Sequence, residues 1–298
     1  MKADSGVYSV ETKEQLRQLV EYWRSQNQKI ALVPTMGFLH KGHLSLVTIA
    51  RQYADRVITS IFVNPKQFSP TEDFDAYPRN ADEDLAALAA ANCDAVYLPS
   101  AEEIYPFGFQ TSVSVNDLAG ALCGVSRPHF FGGVATVVTK LLNQCRPDVA
   151  VFGEKDFQQL KIIERLNLDL DLGVEIIGGP IVREADGLAM SSRNAYLSPS
   201  ERKIAGRLNV ALAQAAKDIS TGNGIDDAVH RAQRDLVNAG FDAVDYLEVR
   251  HESDLSLAGP GALSSSARIF AAAQIGRTRL IDNWPISIST ERGRQPRG

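Results

Sequence analysis

Cysteine is scarce in this chain of 298 residues. Cys93, Cys123 and Cys145 are odd in number and show no C-x-x-C spacing, which argues against a disulfide framework or a structural zinc site and suggests a reducing compartment. No apolar run approaches the ~18 residues of a membrane span, and the amino terminus lacks the apolar core of a signal peptide. A soluble, cytoplasmic protein is the expectation. Positive charge is not in excess either. With 31 Lys and Arg against 36 Asp and Glu, the formal net charge is −5, which argues against a broad nucleic-acid-binding face but leaves room for a local cationic pocket. Repeats, coiled-coil heptads and low-complexity tracts are also missing, so solenoid and fibrous architectures are excluded.

What remains is ordinary globular material, 44% hydrophobic and 22% charged, in a chain longer than one core usually fills, so two domains are expected. Apolar runs at 29–33, 56–63, 95–98, 149–152 and 174–177 read as strands, and helical spacing occupies 11–24, 42–53, 82–91 and 133–145. Thr12 with Gln15 offers a capping box for the first helix. Strand, helix, strand with short returns builds a right-handed parallel sheet, so the first part is α/β. The alternating residues 111–115 suggest a short edge ribbon. Ala185, Asp186 and Gly187 make a turn in the boundary zone, giving domains 1–181 and 182–298. In the second, Ser198, Pro199 and Glu201 start a helix running to about 220. A helix at 225–239 and strands at 243–250, 268–274 and 278–282 complete a smaller α+β domain. The basic tail from about 287 is expected to fray.

The chemistry concentrates where strands end. Pro34 to His43 reads PTMGFLHKGH and follows the run Ile30, Ala31, Leu32, Val33. A helix beginning near Gly42 would put His40 and His43 at its amino end, where free N–H groups and the dipole attract phosphate; they could equally be solvated caps. Gln67, in the turn Asn64-Pro65-Lys66-Gln67-Phe68, sits at a strand's carboxyl end, where open α/β sheets hold ligands, although a loop amide can also be merely exposed. Residues 71–79 suit a flap or a partner contact. Asp82, Glu83 and Asp84 favour the dipole of their own helix more than a magnesium site. Gly153, Glu154, Lys155 and Asp156 form a second strand-turn-helix junction, in which Asp156 can cap the helix, Lys155 can reach phosphate or solvent, and Gln159 faces the same mouth. Met190, Ser191, Ser192 and Arg193 put two hydroxyls and a guanidinium in one loop.

H-x-G-H resembles the signature of the nucleotidylyltransferase superfamily, which has a Rossmann-like fold. Taken in order, PTMGFLHKGH, IFVNPKQF, DAYPRN, VFGEKDFQQL and VREADGLAMSSRNAYLS resemble the pantoate–β-alanine ligase family over nearly the whole chain. The resemblance implies a Rossmann-like parallel sheet with helices on both faces, followed by a smaller carboxyl-terminal lid domain. It also implies a reaction in which ATP and pantoate give an enzyme-bound pantoyl adenylate and pyrophosphate, after which the β-alanine amine releases pantothenate and AMP. Mg2+ would accompany ATP, with ligands the sequence does not assign.

On this resemblance Met36, Gly37, Phe38, Leu39, His40, Lys41, Gly42 and His43 line the ATP site, with His43 as proton donor and His40 beside the phosphates. Gly153, Glu154, Lys155 and Asp156 hold the nucleotide, Lys155 bridging to the transferring phosphoryl group. Val182 contributes backbone, and Met190, Ser191, Ser192 and Arg193 form a mobile phosphate loop brought down by the second domain. Gln67 and Gln159 bind pantoate, and Arg127 is a further contact. A homodimer through the first domain is implied. The family's R-P-x-H-F reads Arg127-Pro128-His129-Phe130-Phe131 here, so either His129 takes over through a shifted loop or that contact is dispensable. The alternatives are an adenylyltransferase of the same superfamily acting on another small acid or phosphate, and a nucleotide sensor without activity.

Overall fold

The computed structural model describes residues 7–69, 74–260, 263 and 265–287. Residues 71–73 of the expected flap and 288–298 of the expected frayed tail lie outside them. The chain divides into two compact units, Met1–Val182 with Met190–Ser192, and Arg183–Ala189 with Arg193–Gly298.

Six strands make the sheet of the first unit: β1 (Tyr8–Val10), β2 (Ile30–Thr35), β3 (Arg56–Ile61), β4 (Ala95–Tyr97), β5 (Val149–Gly153) and β6 (Glu175–Gly179). Their order is β1-β4-β3-β2-β5-β6, and every pairing is parallel. Five helices serve as crossovers and cover: α1 (Lys13–Ser25), α2 (Lys41–Tyr53), α3 (Ala81–Ala90), α4 (Phe130–Cys145) and α5 (Phe157–Asp169). Ala31 and Val33 of β2 share a core with Leu46, Val47 and Ala50 of α2 and Leu88 of α3. Ile30 and Leu32 alternate to the opposite face and are fully buried too. Both faces are therefore covered, which is why β2 reads as an unbroken apolar run instead of an alternating one.

The capping box of α1 forms as expected, Gln15 N–H donating to Thr12 Oγ1 while Gln15 Oε1 accepts from Thr12 N–H. Three local features differ from the sequence reading. Residues 111–115 are not a strand. Their alternation marks one side resting on α4, where Val113 N–H donates to Thr136 Oγ1 at 3.0 Å, and no strand among the described residues pairs with them. Helix α4 starts at Phe130, three residues before the expected Gly133. The edge strand β1 has only three residues, too few to show a period.

The second unit holds α6 (Pro199–Ala205), α7 (Arg207–Ser220) and α8 (Ile225–Ala239) with the antiparallel order β7 (Ala243–His251), β8 (Ala267–Ile275) and β9 (Thr278–Ile286). Leu208, Leu212, Ile219 and Leu236 pack with Ile269, Ala271, Ala273 and Ile275 to make its core. The Ser198 capping box forms, but the single helix expected up to 220 is two helices meeting at Gly206. A side chain there would press on Asp186, whose Oδ2 would lie 2.8 Å from the added Cβ.

Candidate functional site

In this strand order β3 and β5 flank β2, so the chain leaves β2 toward one side and later returns to the other. Crevices at such a reversal, at the carboxyl ends of the strands, are where open α/β sheets take ligands. Three segments rich in candidate residues follow those ends: residues 36–43 after β2, 64–68 after β3 and 153–156 after β5.

The first turn is made by two consecutive residues with positive φ, Gly37 (+82°) and Phe38 (+51°). Such a turn aims successive amides at one point, and the acceptor is the buried Asp84. Its carboxylate takes Phe38 N–H at 2.8 Å and Leu39 N–H at 2.7 Å. Burial raises the Asp84 carboxyl above its ordinary value, although the two amide bonds pull the other way. Gly37 has little room for a side chain, since an added Cβ would stand 3.0 Å from both Asp84 and Ile61. The sequence reads Asp84 only as a helix-start acid. Its real signal is its place four residues before the buried Leu88, on the inward face of α3.

His40 is the N-cap of α2, accepting Gly42 N–H on Nδ1 at 3.1 Å, and His43 Nδ1 accepts His40 N–H at 3.3 Å. The two rings lie 4.0 Å apart, centre to centre. Because Nδ1 of His43 accepts, the proton of the neutral ring sits on Nε2. His43 is neutral by a wide margin. Burial, then the positive fields of His40 and Lys155, lower its pKa to about 3. Lys155 is thus near enough to be felt by His43, and its ammonium also stands 3.7 Å from Asp156. Asp156, expected to cap α5, makes no capping hydrogen bond. Glu154, Lys155 and Asp156 form a short 3-10 turn at the end of β5, with Glu154 lying against Gly178. Leu39 packs partly into the core, while Lys41, the first residue of α2, is exposed.

Gln67 is buried and held by polarity. Lys66 N–H can only donate and Gly133 C=O can only accept, so Asn64 must present Oδ1 to the first (3.2 Å) and Nδ2 to the second (3.1 Å). Tyr105 adds an O–H to Asn64 Oδ1 at 2.8 Å. Asn64 Nδ2 then donates to Gln67 Oε1 at 3.0 Å, which leaves Gln67 Nε2 as the group offered onward, here to Met36 Sδ at 3.1 Å. The sequence reading does not single out Asn64 or Tyr105; an Asn before Pro at a strand end is the available signal. Arg127 donates to Gln67 C=O at 3.2 Å, and its guanidinium lies 3.8 Å from the centre of the Phe130 ring. His129 is exposed, and the aromatic ring of Phe130 stacks on the arginine. Gln159 is half-buried in the first turn of α5. Its neighbour Gln158 is structural, tying Cys123 N–H and the carbonyls of Leu118 and Ala121.

Met190, Ser191 and Ser192 count with the first unit. Met190 N–H donates to Val182 C=O at 2.9 Å, and Ser192 Oγ donates to Phe38 C=O at 3.1 Å, in the turn just before H-x-G-H. Arg193 counts with the second unit, in the 3-10 turn Ser192–Tyr196. The first unit thus brings together His40, His43, Lys155, Gln67 and the serine loop. Among the described residues no group of three or more His, Cys, Asp or Glu could hold a metal ion.

A sequence profile of the pantoate-beta-alanine ligase family matches residues 8–285. The pantothenate synthetase of Caulobacter vibrioides is 53% identical over 278 residues, covering 93% of this chain and 98% of that protein. That of Paramagnetospirillum magneticum is 52% identical over 279 residues, 94% of this chain and 98% of its own. Among solved structures, pantothenate synthetase from Thermus thermophilus matches with a TM-score of 0.89 at 40% identity, covering 94% of this chain and 99% of that one. The pantoate-beta-alanine ligase from Francisella tularensis, complexed with beta-gamma ATP and beta-alanine, matches with a TM-score of 0.79 at 34% identity, covering 94% and 97%.

Proposed function

The chain belongs to the pantoate–β-alanine ligase family and joins pantoate to β-alanine with ATP, and from this premise we infer that the switch-point crevice of the first unit is where the carboxylate is activated. A carboxylate is a poor electrophile, so a pantoate oxygen attacks the α-phosphorus of ATP and pyrophosphate departs. The amine of β-alanine then attacks the acyl carbon, AMP leaves with the bonding pair, and the extra amine proton passes to water. The protein's task is to hold reactants in line and steady the charge that develops on phosphate oxygens.

The observation that carries the assignment is the pair of imidazoles at the start of α2, each with Nδ1 tied to a backbone amide, beside Lys155. In this reading His43, neutral, donates from Nε2 to a phosphate oxygen, which refines the proton-donor role. His40 flanks it, and Lys155 supplies the positive charge at the α-phosphate. The turn of residues 36–43, whose own amides are largely satisfied within the protein, lies along the nucleotide, and Val182 meets it through its backbone. Ser191, Ser192 and Arg193 meet the departing pyrophosphate. Gln67 and Gln159 orient pantoate, Gln67 as a donor to an oxygen of the acid, with Arg127 steadying the Gln67 backbone.

Mg2+ enters this scheme on the nucleotide. Asp84 is committed to two amides and Asp156 stands beside Lys155, so the described residues offer no all-protein cage, which suits an ion held chiefly by phosphates. Three buried cysteines outside any disulfide support a cytoplasmic setting; among the described residues no helix is long and apolar enough to cross a membrane. Association into a homodimer through the first unit is what membership of the family implies. Light scattering is expected to give twice the chain mass of 32.4 kDa; the mass of one chain at micromolar concentration would reject the dimer. The decisive test of function is isotope exchange between pyrophosphate and ATP. It is expected only with pantoate present, and β-alanine should then release AMP and pantothenate in equal amounts. Exchange without pantoate, or a stable adenylylated product that needs no amine, would refute the reading.

A further inference from the structure

Two arginines of the second unit hold the stem that carries residues 190–193. Arg183 grips the buried Asp282 with both terminal nitrogens (2.7 and 3.0 Å), donates to Gly187 C=O at 3.1 Å, and lies 4.7 Å from the Trp284 ring centre. Arg183 also forms an isolated β-bridge with Ala189, across the turn at Gly187 (φ +87°). Arg202, on α6, pairs with Asp186 and with Glu184 Oε2 (2.7 Å). The other oxygen of Glu184 accepts Asn194 Nδ2 at 2.9 Å, and the same Nδ2 donates to Ala189 C=O at 3.1 Å.

Ala189 and Asn194 are the two feet of the four-residue loop, so these bonds set its span. Glu184 is the tie between that cross-link and α6. Two carboxylates at the foot of a loop that meets a triphosphate would repel it, and Arg202 is the cation that offsets both. We propose that Arg202, acting through Glu184, is a positioning residue for the loop of Met190, Ser191, Ser192 and Arg193, so that its hydroxyls and guanidinium meet ATP at a set spacing. This rests on reading that loop as the phosphate loop. Arg202 is the informative member because its ion pairs are partly exposed and add little to folding, whereas Arg183 is locked to a buried carboxylate.

The loop serves only while pyrophosphate is attached, so the two half-reactions separate a positioning role from a structural one. In Arg202→Ala and Glu184→Gln, pantoate-dependent ATP–pyrophosphate exchange is expected to fall about 10- to 100-fold, mainly through a higher ATP KM. Aminolysis by β-alanine of enzyme-bound pantoyl adenylate, freed of nucleotide by rapid gel filtration, should proceed at the wild-type rate. Arg202→Lys should restore part of the exchange. Half-reactions that fall in parallel together with Tm, or exchange equal to wild type, overturn the proposal. If Ser192→Ala also leaves exchange untouched, the phosphate-loop reading itself is at fault, which distinguishes the two failures.

Discussion

Replacing His43 with alanine is expected to lower turnover about 100- to 10,000-fold, the range lost with an acid–base or charge-stabilising group, while the fold stays intact. The fold should survive because the bond the ring makes at Nδ1 is an acceptance from His40 N–H, at the end of a helix whose cap is His40 itself. His43→Gln keeps a donor near the position of Nε2 and should retain more activity than alanine. A pantoate-dependent exchange rate equal to wild type in His43→Ala would remove His43 from the chemistry.

Its depressed pKa has a sign that can be checked. The folded protein holds His43 neutral down to about pH 3, whereas the unfolded chain takes a proton near 6.5. Between those values the unfolded state binds more protons, so stability falls as pH drops from about 6.5 toward 3, and above 6.5 His43 adds no pH dependence. Urea denaturation between pH 4 and 8 should therefore show a shallower acid decline for His43→Gln than for wild type. An equal decline would mean that His43 is not buried as a neutral ring.

Asp84→Ala should be the most damaging change outside the residues that meet substrate. It strips the acceptor from two amides, Phe38 and Leu39 N–H, in a turn already held at positive φ. Losing two charge-assisted bonds costs about 2–4 kcal/mol of stability. A shift of about 1 Å in His40 and His43, which the turn delivers, would cost about 100-fold in kcat/KM. In Asp84→Asn one amide keeps its acceptor while the new NH2 group faces the other, so stability should fall less than with alanine, with activity still impaired. Equilibrium denaturant melts alongside steady-state kinetics measure both effects; an Asp84→Ala protein with normal kcat/KM would show that the turn holds itself.

Where the sequence reading held, the information was local. The apolar run before Pro34 and the period of α2 lie within a few residues, as do the capping boxes at Thr12 and Ser198. Where it departed, partners came from afar or an expected one did not arrive. Residues 111–115 alternate like a strand because one side meets α4. Asp156 looks like a cap, yet its carboxylate stands by Lys155. At the family's histidine position the sequence leaves open whether His129 takes over through a shifted loop or the contact is dispensable, and only packing shows Phe130 stacked on Arg127.

By itself, then, the amino-acid order determined the longer strands and most of the helices, their parallel return and the five motifs that identify the chemistry, because periodicity and capping act over one or two turns of chain. The tertiary structure alone decided which polar groups complete the site. Asp84 reaches its amides across 46 positions, Asn64 takes its polarity from Gly133 across 69, and Arg202 meets Glu184 across 18. Hydrogen bonds depend on separation in space, and no local pattern encodes a distance that closes only when the sheet is assembled.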